Sequence, residues 1–413
     1  WFSSWLWPIS VFDGIGKEAN KAELDYYYPT NDLVTGPDIL FFWVARMIMA
    51  GYEFEGKMPF KNVYFTGLIR DKQRRKMSKS LGNSPDALEL IEKYGADAVR
   101  MGLLLCAPAG NDILFDESQI EQGRNFCNKI WNAYRLMSGW DTIDQPSTQA
   151  ANQAKVFIDS RIQQVISENE KFFAEFKLSD ALMNLYKLIW DDFCAVYLES
   201  VKPPFGEPIS MVTLHETQAV FGQLMALLHP YMPFISEEIH HAIHQGNPAK
   251  PLVISDYPKV GSLDSIFPME PLVLVSEVRN LRNAKGLSPK ECIQLWIAPN
   301  TSVIEENASL IEKLANVKIN IKTSTSEITG QPILVGTHEV WCELQQEIDP
   351  IKEREELNKD LAYYQGFAES VLKKLNNERF VTNAKVEIVE MEKKKLADAQ
   401  EKISLITKRL ESL

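Results

Sequence analysis

The sequence predicts an α/β segment followed by an α-helical bundle, a small α/β module and an antiparallel coiled-coil hairpin. Three observations lead there. Strand, helix and strand signals follow one another in the first hundred residues. A helical apolar period then runs from about residue 117 to 245. Two heptad runs close the sequence, separated by Asn376-Asn377-Glu378. With 413 residues the chain is too long for one compact domain. The expected domains are 1–110, 111–258, 259–348 and 349–413.

Composition narrows the class. Apolar residues make up 45% of the chain, enough for real cores, and no apolar run is long enough to span a bilayer. The five cysteines (Cys106, Cys127, Cys194, Cys292 and Cys342) are scattered, and none forms a Cys-x-x-Cys pair. That pattern predicts reduced thiols in a soluble, cytoplasmic protein, with neither a disulfide framework nor a zinc site. A net charge of -12 argues against indiscriminate nucleic-acid binding and leaves recognition to local basic patches. The opening run Trp1-Phe2-Ser3-Ser4-Trp5-Leu6-Trp7 reads like the interior of a domain, so a longer protein is expected.

Tyr26-Tyr27-Tyr28-Pro29 with Asp32 to Gly36 reads as a short strand entering a turn. Pro37 and Asp38 suit the first turn of a helix. From Ile39 to Ala50 that helix is apolar almost all round, which predicts burial. Asn62 to Thr66 is the next strand. The basic loop Lys72-Gln73-Arg74-Arg75-Lys76-Met77-Ser78-Lys79-Ser80-Leu81-Gly82-Asn83 follows, then a helix from Ala87. From Arg70 to Ser80 there are six Lys or Arg and one Asp. A strand, a loop rich in ammonium and hydroxyl donors, and a helix N-terminus suit a polyanion. The layout fits an open parallel sheet, a partial Rossmann-like nucleotide-binding fold, in which ligands bind at the C-terminal edge of the strands. By periodicity alone Trp1, Ile39 and Trp43 could line a small apolar pocket or simply be core.

Three blocks carry a family resemblance: Trp1-Phe2-Ser3-Ser4-Trp5-Leu6-Trp7-Pro8, the run Thr35-Gly36-Pro37-Asp38-Ile39-Leu40-Phe41-Phe42-Trp43-Val44-Ala45-Arg46-Met47, and Lys76-Met77-Ser78-Lys79-Ser80. The sequence resembles the class I aminoacyl-tRNA synthetases, and within them the valyl enzymes. Asp38-Ile39 disfavours the isoleucyl relatives. The resemblance implies ATP-dependent activation of valine and its transfer to tRNA(Val), with Mg2+ as counter-ion of the phosphates. It implies that Lys76 and Lys79 are catalytic, holding the ATP phosphates. Gly36, Asp38 and Ser78 join them at the ATP or adenylate, with Ser78 and Ser80 shaping the loop. Trp1, Ile39 and Trp43 would line the valine pocket. The family usually carries Gly where Arg74 stands, so a stiffer loop is expected. A His-Ile-Gly-His-like motif and an editing domain are not in this sequence, so this chain alone is expected not to activate valine.

Further along, Ile120, Phe126, Ile130, Ala133, Tyr134 and Met137 mark one amphipathic helix, and four more are predicted at 156–173, 178–198, 211–228 and 233–244, a bundle with short connections. Gly123 to Ala133 resembles the first long helix of the family's anticodon-binding domain, which implies tRNA contacts at Arg124, Asn125, Lys129 and Arg135. Phe126 and Trp131 could stack on bases or be core. Asp141 to Glu270 holds 17 Asp or Glu against 8 Lys or Arg, so most of that surface is unfit for phosphate. His240 and His244 are four apart beside Glu237, but no third ligand is evident and no metal is expected. Residues 272–344 read as a helix, a strand, a helix and two further strands. Arg279 and Arg282 lie on the first of these and could touch RNA.

In the tail, Leu357, Leu361, Tyr364, Ala368, Val371 and Leu375 step by four and three, as do Leu396, Ala399, Ile403, Ile406, Leu410 and Leu413. These runs predict the antiparallel hairpin. Its turn resembles the valyl enzymes' C-terminal arm, which implies phosphate contacts by Lys373, Lys374, Arg379 and Lys385. The expected partners are tRNA(Val), L-valine and ATP, with no membrane, for a monomer. A non-catalytic tRNA-binding module is the alternative.

Overall fold

The computed structural model describes residues 2–15, 21–107, 111–246, 248–261, 266–298, 301–321, 330–336, 338–343, 350–376 and 386–412. It divides into two compact units, Trp1–Phe267 and Pro268–Leu413.

The first unit opens on a parallel pair of strands, β1 (Thr30–Thr35) and β2 (Phe60–Phe65), in register from Thr30 opposite Phe60 to Thr35 opposite Phe65. Tyr26 and Tyr27 end a short helix, Lys21–Tyr27, and do not belong to the strand. The strand signal there was aromatic content alone, and aromatic residues also suit the end of an amphipathic helix.

The crossover from β1 to β2 starts as a 3-10 turn, Pro37–Ile39. It widens into a π-helical stretch, Leu40–Val44, and settles into α1, Ala45–Glu55. Gly56, at φ 69°, closes it as a left-handed C-cap. The expectation of all-round burial does not hold. Val44, Met47 and Ala50 are buried, with Val44 and Met47 packed beside Phe60, while Phe41 is 79% and Phe42 57% exposed. Sequence periodicity identifies a helix with two apolar faces, but the two-stranded sheet covers only one.

After β2 come β3 (Ile69–Arg70), which pairs in parallel with β4 (Ile113–Leu114), and helices α2 (Ala87–Tyr94) and α3 (Ala96–Leu105). Asp86 caps α2 by accepting from the Leu88 amide. The long helix α4, Glu117–Ser138, crosses α3 at glycines. A Cβ on Gly123 would lie 2.5 Å from the Ala98 carbonyl oxygen, and one on Gly102 would lie 2.8 Å from Ile120 Cα.

The bundle continues with α5 (Gln149–Ala174), α6 (Leu178–Lys187), α7 (Met211–Leu228) and α8 (Pro233–Ile243). Helix α6 runs on through a π-helical stretch, Leu188–Tyr197, into Leu198–Val201. Phe157, Phe193, Tyr197 and Phe221 are fully buried, and the Phe193 and Phe221 rings stack with centroids 5.2 Å apart. A polar clasp joins α3 to this bundle. The buried Asp97 carboxylate accepts from the Phe234 and Ile235 amides at the start of α8, and Arg100 donates to the Pro230 and Tyr231 carbonyls.

The second unit holds α9 (Glu270–Lys285) and a four-stranded sheet of β5 (Ile293–Ile297), β6 (Val317–Ile321), β7 (Gln331–Val335) and β8 (His338–Glu343). The strand order is β6-β5-β8-β7. Strands β5 and β6 are parallel, joined through Ser302–Glu306 and α10 (Ala308–Ala315), and β8 is antiparallel to both its neighbours. Ile293, Leu295 and Ile297 face the core, with Gln294 and Trp296 between them, as period two requires.

Arg282 is buried. It donates to the Ser288, Ala315 and Asn316 carbonyls, and Arg279 donates to that of Leu314. Both arginines therefore hold carbonyls at the C-terminal end of α10, and burial corrects the expectation that Arg282 could touch RNA, while Arg279 is exposed. The tail is a hairpin of α11 (Pro350–Leu375) and α12 (Val386–Ser412). Val371 and Ala399 are buried on the heptad seam, and the seam's other described positions are half-buried. Leu413 lies outside the described residues.

Candidate functional site

The basic loop leaves β3 and is built around one carboxylate. Asp71 is buried, and its Oδ1 accepts from the Gln73 and Arg75 amides at 3.0 and 2.8 Å. Its Oδ2 accepts from Arg75 Nε at 2.7 Å and from Asn83 Nδ2 at 3.0 Å. Hydrogen bonds from Asn83 and Arg75 hold the carboxyl down at about 2. Asn83 also donates to the Lys76 carbonyl at 3.4 Å and accepts from the Ser78 amide at 3.0 Å. An antiparallel bridge from Arg70 to Lys76 closes the turn between them. Arg74 sits in that turn at φ 64°, the left-handed region that favours glycine. Arg70 is paired with Asp112.

Lys76 Nζ lies 3.5 Å from Asp38 Oδ2, so two residues expected at the adenylate are neighbours across the C-terminal edge of β1 and β2. Gly36 leaves room for that carboxylate: a Cβ there would stand 2.7 Å from Asp38 Oδ1. The Ser78 hydroxyl is 3.1 Å from that of Ser80 and accepts from the Leu81 amide, so it is occupied inside the loop. The backbone of Lys79 begins a 3-10 turn, Lys79–Leu81, and its side chain lies outside the described residues.

Of the predicted pocket residues, Trp43 is half-buried and donates its indole N–H to the Ser4 carbonyl at 3.0 Å. It packs on the cluster of Val44, Met47 and Phe60 together with Trp5. Ile39 is 38% exposed at the head of the crossover helix. Trp1 lies outside the described residues. Ser4 and Trp5 of the opening segment thus lie against the crossover helix.

Helix α4 sorts its residues by face. Phe126 is fully buried against Tyr186 and Trp190, with ring centroids at 4.9 and 6.3 Å. Lys129 lies over the Trp190 ring at 5.4 Å and Arg124 over Tyr94 at the same distance. Arg124, Asn125, Asn128, Trp131, Asn132 and Arg135 are exposed along one stripe. Asn128 and Asn132, which the sequence analysis did not single out, are exposed on the same face as Arg124 and Arg135. The Asp71–Asn83 pair was also missed. Its one signal was a lone acid within a run of six basic residues.

In the hairpin, Lys373 and Lys374 are exposed near the end of α11, and Lys374 lies 3.7 Å from Glu392 of α12. Arg379 and Lys385 lie outside the described residues. The ring nitrogens His240 Nε2 and His244 Nδ1 are hydrogen-bonded to the Lys250 and His240 carbonyls.

Residues 1–116 match the family described as tRNA synthetases class I (I, L, M and V). Residues 157–296 match the anticodon-binding domain of tRNA ligase, and 349–413 the valyl tRNA synthetase tRNA binding arm. The valine–tRNA ligase of Bacteroides fragilis is 48% identical over 420 residues, covering 100% of this chain and 48% of that protein. That of Bacteroides thetaiotaomicron is 49% identical over 422 residues, covering 100% and 47%. That of Chlorobaculum tepidum is 33% identical over 445 residues, covering 100% and 49%. The chain thus spans about half the length of these relatives. With part of the class I catalytic region, the anticodon-binding domain and the tRNA-binding arm in that order, the chain belongs to the valine–tRNA ligase family as a C-terminal portion of such a ligase.

Proposed function

We propose that the whole protein activates L-valine with ATP and transfers it to tRNA(Val) in the cytoplasm, and that this chain supplies the pyrophosphate loop and the tRNA-binding domains. The observation that carries this reading is the placing of Lys76 next to Asp38 at the strand edge, on a loop held from within by Asp71. In the transfer of an adenylyl group, charge builds on the departing diphosphate. Fixed ammonium groups aimed at it lower the barrier more than they favour the ground state. Lys76 would leave Asp38 for the phosphates, and Lys79 would join it from the next turn. Asp38 and Gly36 would then face the nucleoside. Trp43, with Ile39 and Trp1, would form the apolar wall for valine.

A magnesium ion would ride on the phosphates. Among the described residues no group of three or more His, Cys, Asp or Glu is placed to hold a metal. The described residues also include no helix long and apolar enough to cross a membrane. The domain limits that fit this reading remain 1–110, 111–258, 259–348 and 349–413. The chain alone would bind pyrophosphate and tRNA without turning over.

The test has two readouts. Inorganic pyrophosphate titrated into this chain should bind, and Lys76→Ala and Lys79→Ala should each weaken it about tenfold or more. Valine-dependent ATP–pyrophosphate exchange should occur in the whole ligase and be lost in the same variants. Binding of tRNA with no pyrophosphate binding would favour the non-catalytic tRNA-binding reading. Near-normal exchange by this chain alone would refute the division of labour.

A further inference from the structure

Asp71 and Asn83 form one hydrogen-bonded unit inside the loop. A buried carboxylate among six cations could neutralise charge simply by meeting a lysine tip. It does not do so. Its four hydrogen bonds go to two backbone amides, to Arg75 Nε and to the Asn83 side chain, and Lys76 is left to Asp38. Asn83 then holds the Lys76 carbonyl and the Ser78 amide, the two backbone groups that bracket Met77. One side chain therefore fixes the backbone from Lys76 to Ser78, the segment that leads into Lys79. Leu81 completes the fold-back by donating its amide to the Ser78 hydroxyl.

We propose that Asp71 and Asn83 are positioning residues: Asp71 orients the Asn83 amide, and Asn83 sets the Lys76–Ser78 backbone so that Lys76 and Lys79 meet the departing diphosphate at a fixed spacing. The idea rests on the pyrophosphate reading above. Its physical basis is that ammonium groups stabilise a transition state well only when they need not be reordered as charge develops. Asp71 bonds to Gln73, Arg75 and Asn83, and of these it is the Asn83 side chain that also holds the Lys76 carbonyl and the Ser78 amide, so Asn83 relays its effect to that segment. Replacing Asp71 by Asn keeps the shape of the side chain but puts an NH2 group where Arg75 Nε and Asn83 Nδ2 both donate. That donor-to-donor contact should turn the Asn83 amide away.

The experiment has a structural arm and a kinetic arm. Amide hydrogen exchange is measured in this chain for the parent, Asp71→Asn and Asn83→Ala. Both variants should speed exchange at Ser78 tenfold or more, while the thermal unfolding of the chain stays in place. An unchanged Ser78 rate in Asp71→Asn would overturn the relay. In the whole ligase, each variant should lower kcat for pyrophosphate exchange about tenfold and leave KM for valine unchanged. Combined with Lys76→Ala, each should cost less than the product of the two single losses, because groups acting as a unit are not additive. Independent losses that multiply would show an effect on folding and overturn the proposal. If Lys76→Ala itself leaves exchange intact, the pyrophosphate reading fails and takes the positioning role with it. That failure is recognisable because Ser78 would still respond to Asp71→Asn.

Discussion

At the scale of single residues, Arg74 and Asp71 make opposite demands on one turn. Arg74 is held at φ 64°, where a side chain costs about 1 kcal/mol relative to glycine. Its carbonyl accepts from Arg70 and its amide donates to Asp71, and both bonds use only backbone atoms of residue 74. Arg74→Gly should therefore relax the turn and slow amide exchange at Arg75 about fivefold; faster exchange would show that the arginine side chain holds the turn. Asp71 gives a pH signature. Its carboxyl titrates at about 2, below the ordinary carboxylate value near 4, so its contribution is fully present above pH 4. It should be lost as pH falls from 4 towards 2, together with the protection of the Gln73, Arg75 and Ser78 amides. The loop's lysines were legible in the sequence because their type and spacing are unusual. The loop's organiser was not, because an aspartate and an asparagine twelve residues apart have no periodicity. Only the fold-back shows that they meet.

At the scale of elements, α4 shows what a helical period can and cannot say. The period placed the helix on Ile120, Phe126, Ile130, Ala133, Tyr134 and Met137, all of them buried except the half-buried Tyr134. It left Phe126 and Trp131 undecided between core and base stacking, because an aromatic on or beside the apolar stripe serves either purpose. The structure puts Phe126 in the core and leaves Trp131 37% exposed, beside Asn128, Asn132 and Arg135. Phe126→Ala should cost about 3–5 kcal/mol of unfolding free energy, measured by chemical denaturation. Trp131→Ala should leave the denaturation midpoint nearly unchanged and weaken binding of an anticodon stem-loop RNA by about 1–3 kcal/mol, the worth of one stacked base. A large stability loss with unaltered RNA binding would place Trp131 among the structural residues. The π-helical stretches at Leu40–Val44 and Leu188–Tyr197 were not legible either. One extra residue in a turn leaves the apolar pattern helical to the eye and shifts only the backbone bonding.

At the scale of the whole molecule, the difficulty is electrostatic: on the proposed function a chain of net charge -12 would hold a polyanion. From residue 351 onward it carries 13 Lys or Arg against 12 Asp or Glu, so the hairpin has no large net charge to offer. Attraction to phosphate must come from where the cations stand. The heptad seam was legible because it repeats; the cation placement was not, because partners across the hairpin decide it. Lys374 is already shared with Glu392 and Lys402 with the Tyr364 ring, whereas Lys373 is exposed near the end of α11. If the hairpin grips tRNA, a few phosphates are bound by a few cations, and the salt dependence counts them. Each phosphate contact contributes about 0.7–0.9 to the slope of log affinity against log salt. Replacing Lys373, Lys374, Arg379 and Lys385 together by glutamine keeps the hairpin's length and seam. It should flatten that slope by about 3 while leaving pyrophosphate binding to the loop unaltered. A smaller change, near 1, would assign phosphate contact to a single cation and leave tRNA recognition to α4. No change in slope would mean that the hairpin supports the fold and touches no phosphate.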